Sequence, residues 1–196
     1  MSNSVYTFAE LDFILQDDPN WVVTRRQLGL TYESSEGIRT AGAASLLARD
    51  LASVDGDDIA IPPEVSVPAQ ALARGGIQLV LAMADADQTA MSMLQFVPSE
   101  GPRVLFSPKA PGVFDLRLLS TELTKVELLV RLVVDVTPPG TTMGIAYGEA
   151  IVQVVRTDSG WATRTDESEQ PQACDEEGLH DQIAAVFGPV LDGEGQ

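Results

Sequence analysis

Apolar positions along this chain recur first at helical and then at strand spacing, and the change of period divides it into two kinds of segment. Over residues 7–16, Phe8, Leu11 and Leu15 fall at i, i+3 and i+7, the stripe of one helix, and Thr7 with Glu10 supplies a capping box at its start. Asp17, Asp18, Pro19 and Asn20 break that helix. Residues 21–24 then read as a short strand or extended segment ahead of a polar loop. A helix is expected over 36–52, where Ile38, Ala41, Ser45, Leu46, Arg49 and Ala52 alternate with small residues that let another helix approach closely. Ser34 or Ser35 caps it. Residues 54–58 form a turn, since Asp-Gly suits positive φ, and 59–63 are too brief and Pro-bounded for a central strand. A further short helix over 64–74 is weakened by Pro68 unless that residue lies in its first turn. Gly75-Gly76 ends it.

From residue 77 the period becomes two. Segments 77–84, 89–97, 103–107 and 113–119 read as consecutive strands, separated by turn residues at 85–87, 98–102 and 108–112. Links this short imply an antiparallel meander. In the last strand Phe114, Leu116 and Leu118 point one way and Asp115 and Arg117 the other, the mark of a sheet with one covered face. A helix follows over 120–134, with Leu119, Leu123, Val126, Val130 and Val133 on one stripe, and Pro138-Pro139-Gly140 marks its end. Residues 151–156 and 161–165 flank a hairpin loop at 157–160. The stretch 165–174 reads as a mobile tail. Leu179, Ile183, Val186 and Phe187 define a final helix, stopped by Gly188-Pro189. The fold class expected is α+β: an antiparallel β-sheet meander with helices packed on one face. The chain reads as a single domain over 1–196, in three successive parts: 1–33, 34–142 and 143–196.

Size and charge narrow the function. A chain of 196 residues buries roughly 70% of its unfolded surface, so it needs neither metal nor disulfide to hold together. Its formal charge of −17, with Lys109 and Lys125 its lysines and scattered arginines, repels phosphate backbones and anionic lipid, which excludes nucleic acid and membrane surfaces as partners. The acidity is either an attraction for a basic partner or simple solubility. The apolar run 126–136 is interrupted by Glu127, Arg131 and Asp135, well short of a bilayer span. Residues 1–15 carry no Lys or Arg and include Glu10 and Asp12, which is wrong for a secretory leader. With Cys174 as its single cysteine, the chain suits a reducing cytoplasm.

Catalytic chemistry finds few seats. His180 is the one imidazole, and beside Asp181 and after Asp175-Glu176-Glu177 it reads as a surface histidine in a carboxylate field. The spacing of Cys174 and His180 matches no nucleophile motif, and acidic surroundings oppose thiolate formation. Asp55-Gly56-Asp57-Asp58 lacks the ligand register of a calcium loop and reads as a solvated turn, as do Asp85 and Asp87. No glycine-rich phosphate loop follows any expected strand. No catalytic, cofactor-binding or metal-binding residue is assigned, and no cofactor is expected. Strand 89–97 is apolar on both sides, with Met91, Met93 and Val97 on one and Ala90, Leu94 and Phe96 on the other. Because methionine adapts to irregular surfaces, Met91, Met93 and Val97 are the candidate partner-binding residues. The plainer alternative is a central strand covered on both faces.

The order of elements has a likeness among known families. A helix with a small-residue face over 40–52, an acidic-Gly turn, a Pro-bounded segment, strands ending in Phe114-Asp115-Leu116-Arg117-Leu118, the stretch 123–133 and Pro138-Pro139-Gly140 together resemble the EspG family, chaperones of mycobacterial type VII (ESX) secretion. The preference for arginine over lysine and the richness in Ala, Val and Gly suit a high-GC genome. The resemblance implies an α+β fold with a central antiparallel sheet and a cytosolic chaperone that binds a secreted PE-PPE heterodimer through the PPE protein's apolar tip, without a cofactor. This chain departs from the pattern in an abbreviated second half, and no contact residues are carried over. The function expected is therefore non-enzymatic protein binding. The alternatives are a hydrolase using carboxylates alone, since glycosidic cleavage needs only two acids at a defined separation, and a structural homo-oligomer subunit.

Overall fold

The computed structural model describes residues 3–74, 78–84, 91–98, 101–166 and 170–192. In chain order it begins with β1 (Asn3–Thr7), α1 (Phe8–Ile14), α2 (Trp21–Gln27), α3 (Glu36–Ala48), β2 (Ser53–Asp55), β3 (Asp58–Ala60) and α4 (Pro63–Arg74). Four strands follow: β4 (Leu79–Ala84), β5 (Met91–Val97), β6 (Arg103–Ala110) and β7 (Val113–Leu119). The remainder is α5 (Lys125–Val136), β8 (Thr142–Tyr147), β9 (Ala150–Thr157), β10 (Gly160–Arg164), β11 (Gln172–Cys174) and α6 (Glu176–Leu191). The strand pairings with a described register are all antiparallel, so the chain is α+β as its periodicity implies. Among the described residues no helix is long and apolar enough to cross a membrane. The chain forms two compact units, each assembled from two separated segments.

The first unit is Met1–Gly76 with Val97–Leu119. Its sheet runs β1-β7-β6, and helices α1 and α4 close over the face bearing Tyr6, Phe106, Phe114 and Leu116, all buried. Tyr6 keeps its hydroxyl in this apolar setting by donating to the Val65 carbonyl at 2.8 Å. Leu118 packs at the edge of the same core. Asp115, on the opposite face, is buried too, with Lys109 Nζ 3.8 Å from its Oδ2. The Thr7–Glu10 capping box forms as expected. Glu10 then does more than cap: its buried carboxylate also accepts from Ser45 Oγ at 2.7 Å and Arg49 Nη1 at 2.8 Å, tying α1 to α3. The two helices touch backbone to backbone where Gly42 faces Ala9.

Two expectations for this unit change. Residues 21–24 are helical, not extended, because Trp21, Thr24 and Leu28 share a buried helical stripe and bond to the core. Trp21 Nε1 donates to Asp12 Oδ1 at 2.9 Å and Thr24 Oγ1 to the Ala73 carbonyl at 3.2 Å. Pro68 lies beyond the first turn of α4 and is nonetheless accommodated, since Val65, Ala69 and Leu72 around it are all buried and their packing offsets the lost backbone bond. The acidic turn is the Gly56-Asp57 tip of the small β2–β3 hairpin, with Gly56 at φ +63.

The second unit is Ile77–Phe96 with Ser120–Gln196. Its strands lie in the order β5-β4-β8-β9-β10-β11. One face, carrying Leu79, Leu81, Phe96, Met143, Ile145, Val152, Val154 and Trp161, is buried. Helix α6 packs on β9, β10 and β11 and against α5. Arg156 binds the end of α5, donating to the Val134 carbonyl at 3.2 Å and the Thr137 carbonyl at 2.8 Å while its guanidinium stacks on Trp161.

Here the sequence reading needs four corrections. Helix α5 starts at Lys125 and not at 120, because Thr124 and Glu127 form a second capping box. Strand β8 was not expected, yet it occupies the middle of the unit's sheet, joined to β9 by a two-residue Gly148-Glu149 turn with Gly148 at φ +59. Part of the supposed tail is ordered as β11, which pairs with β10 from Cys174 to Gln172. Helix α6 continues through Gly188-Pro189 to Leu191, because Leu191 extends the buried series Leu179, Ile183, Phe187 and its carbonyl accepts from Lys125 Nζ at 2.7 Å. The expected turns at 85–87 and the Gly75-Gly76 stop lie outside the described residues.

Candidate partner-binding surface

Alternation along the strands of the second unit sends every other side chain away from its helices. On β4 these are Val80, Ala82 and Ala84, on β8 Gly144 and Ala146, and on β9 Ile151, Gln153 and Val155. Met93 of β5 stands opposite Ala82, which in turn faces Gly144, and Gly144 faces Gln153. In the next row Gln95, Val80, Ala146 and Ile151 follow one another. The centre of this face is therefore small and apolar. Met93 and Ile151 project at its two sides, 44% and 45% exposed, while Gln153, held by Arg164 Nε at 2.7 Å, supplies a polar edge. At Gly144 the nearest heavy atom to a notional Cβ is the Ala82 carbonyl at 3.9 Å, so the missing side chain leaves a shallow trough.

The three residues singled out from sequence separate. Met93 lies on this open face. Val97, although of the same parity, is fully buried among Val104, Phe106 and Leu116 and is withdrawn from the candidate surface. Nothing is described of the Met91 side chain, which lies outside the described residues. Gln95 is 3% exposed, so β5 is covered on both sides toward its end, while Met93 is the exposed residue among its described side chains. Sequence reasoning missed Ile151, Val80 and Ala146. The signal was present in the alternation of Met143 and Ile145 with Gly144 and Ala146, followed by a Gly-Glu turn, but β-poor glycine and alanine hid it.

Of the residues screened for chemistry, His180 Nδ1 lies 3.3 Å from Asp181 Oδ1, and Asp85 and Asp87 lie outside the described residues. Among the described residues no three His, Cys, Asp or Glu side chains group so as to hold a metal ion. A carboxyl acting as general acid needs its pKa raised, whereas Glu10 and Glu127 both sit below the usual value. At Glu10 burial pushes the carboxyl up, and the bonds from Thr7 N–H, Ser45 and Arg49 outweigh it. At Glu127 the cause is the Thr124 capping bonds. The Cys174 thiol is pushed up by burial, with Asp175 adding to the effect against a hydrogen bond to Thr163. Cys174 is accordingly expected to react with a disulfide reagent at pH 7.5 several-fold more slowly than it does in the urea-unfolded chain, measured by thiolate release; equal rates would contradict this.

Comparison with known proteins bears on the fold. No protein-family model matches the sequence, and no curated protein matches it. Among solved structures, the chain superposes on one from the Mycobacterium tuberculosis type VII secretion system chaperone EspG5 in complex with a PE25-PPE41 dimer, at 8% sequence identity and a TM-score of 0.60. The match covers 95% of this chain and 96% of that one. At such low identity the likeness establishes a shared fold.

Proposed function

We propose that this chain is a non-enzymatic, cytoplasmic protein-binding chaperone of the type VII secretion kind. Its partner is a secreted helical substrate of the PE-PPE class, whose apolar end rests on the open face of the six-stranded sheet. The observation that supports this reading is the fold-level likeness, over 95% of this chain, to a structure of a chaperone solved with such a dimer. The open face adds a local reason: an apolar, small-residue floor between Met93 and Ile151 accepts a convex apolar tip without first moving a helix of its own unit.

The test is co-expression with a PE-PPE-type pair, followed by co-purification. A stable ternary complex is expected. Recovery of the chain free of the pair at micromolar concentrations of all components would refute the reading. In such a complex Met93→Glu combined with Ile151→Asp is expected to weaken binding by about tenfold or more, because each buries a charge against apolar surface. Both side chains are exposed, so the melting temperature should move little. Unchanged affinity in the double variant would relocate the contact to another face.

A further inference from the structure

The second unit carries another surface, independent of the open sheet face and of the fold comparison. Between α5 and α6 lies an open groove of about 400 Å³. Its apolar floor is Leu123, 37% exposed in the segment leading into α5, and Val130. Three carboxylates rim it: Glu127 on α5, and Glu176 and Glu177 in the first turn of α6. Arg131 and His180 also line it. Arg131 pairs with Asp135 one turn on at 3.2 Å, and His180 Nδ1 lies 3.3 Å from Asp181 Oδ1.

All three carboxylates stand in the first turn of a helix. Glu127 accepts from the Thr124 N–H at 2.7 Å, which holds its carboxyl below the ordinary range. The N-terminal dipole of α6 favours negative charge at Glu176 and Glu177. An apolar floor beneath excess negative charge is complementary to a segment that is apolar at its centre and basic around it. The volume is near the lower end of the range for small binding pockets, about 300–1,000 Å³, which suits one or two large side chains better than the surface of a domain.

We infer that the α5–α6 groove docks a short cationic, amphipathic segment of a partner protein, with a large apolar side chain on Leu123 and Val130 and Lys or Arg side chains reaching Glu127, Glu176 and Glu177. The occupant is a separate protein, since a second copy of this chain brings another −17 of charge to the contact.

The experiment uses the full chain and a fluorescein-labelled 12-residue peptide with two lysines, two arginines and a central phenylalanine, followed by anisotropy at low salt. Saturable binding is expected. Glu176→Gln combined with Glu177→Gln should weaken it by about tenfold, and Leu123→Ser by about fivefold. Asp55→Asn combined with Asp57→Asn removes the same charge from the exposed β2–β3 tip and should change it less than about twofold. A peptide with serine for phenylalanine should bind as poorly as wild-type peptide binds Leu123→Ser. Equal loss in the two double variants would reduce the effect to diffuse attraction by an acidic protein and overturn the inference. No saturable binding up to millimolar peptide would also overturn it. So would a dimer, seen by light scattering, that Leu123→Ser dissolves, because a second copy would then be the occupant. Melting curves for each variant establish that loss of binding is not loss of fold.

Discussion

Replacing Gly42 with valine is expected to destabilise the protein by about 3 kcal/mol or more, the upper end of what overpacking costs. A Cβ at this position overlaps the Ala9 carbonyl oxygen and lies 3.0 Å from Glu10 N. These are backbone atoms of α1, whose neighbours Phe8 and Leu11 are fixed in the core, so neither helix can yield without moving the other. Gly37, in the first turn of α3, is the control: its notional Cβ meets only Ser35 Oγ at 4.0 Å. Gly37→Ala should therefore be neutral or stabilise by up to about 1 kcal/mol, since glycine costs a helix that much. Urea melts of the two variants decide the matter. A Gly42→Val protein with an unchanged midpoint would mean that α1 and α3 do not touch as described.

Glu10→Ala is expected to cost about 2–3 kcal/mol, from a lost helix cap together with a part-buried hydroxyl left without its acceptor. The substitution strips acceptors from the Thr7 N–H, from Ser45 Oγ and from Arg49. Arg49, 40% exposed, can regain water, but Ser45 and the cap lie in the interface. The pH dependence has a definite sign. The folded-state carboxyl of Glu10 lies below its unfolded value of about 4.5, so its contribution is complete above that value and is lost as pH falls through the lower folded one. Wild type and Glu10→Gln should thus differ most at neutral pH and converge in acid. A gap that stays constant down to pH 3 would show that Glu10 is not held as an anion.

Much of the architecture was legible because local chemistry and tertiary packing agree along most of the chain. The Thr7–Glu10 box, the small-residue face of α3 and the alternation of Phe114, Leu116 and Leu118 each act within a few residues, and each appears where expected. Failures cluster where a distant contact decides. Val22, Val23 and Thr24 are β-branched, but Trp21 and Thr24 are anchored by Asp12 and Ala73, so tertiary bonds override propensity. Gly188-Pro189 should end a helix, but the buried Leu191 and the amine of Lys125 carry it further. At α5 the local signal was present and misread: Thr124 and Glu127 repeat the spacing of the first capping box, while the apolar stripe through Leu119 and Leu123 drew the boundary too early.

The candidate surface was half legible for a similar reason. Alternation puts Met93 and Val97 on one side of a strand, but nothing local shows that the covering stops between them. Met93 is open and Val97 is sealed by Val104 and Phe106. Ile151 became meaningful only when β8 placed Ala146 beside it.

The first unit's composition from two separated segments bears on how the chain is born. Strand β1 finds its only described partner in β7, where Val5 meets Asp115, more than a hundred residues later. Until that stretch leaves the ribosome, Tyr6, Leu72 and the inner stripes of α1 and α4 have no sheet to cover them. At about 5–20 residues per second the nascent chain stays adhesive for several seconds after α4 is made, and such non-local closure is intrinsically slow. The chain therefore depends on shielding during its own synthesis, before its first sheet can close.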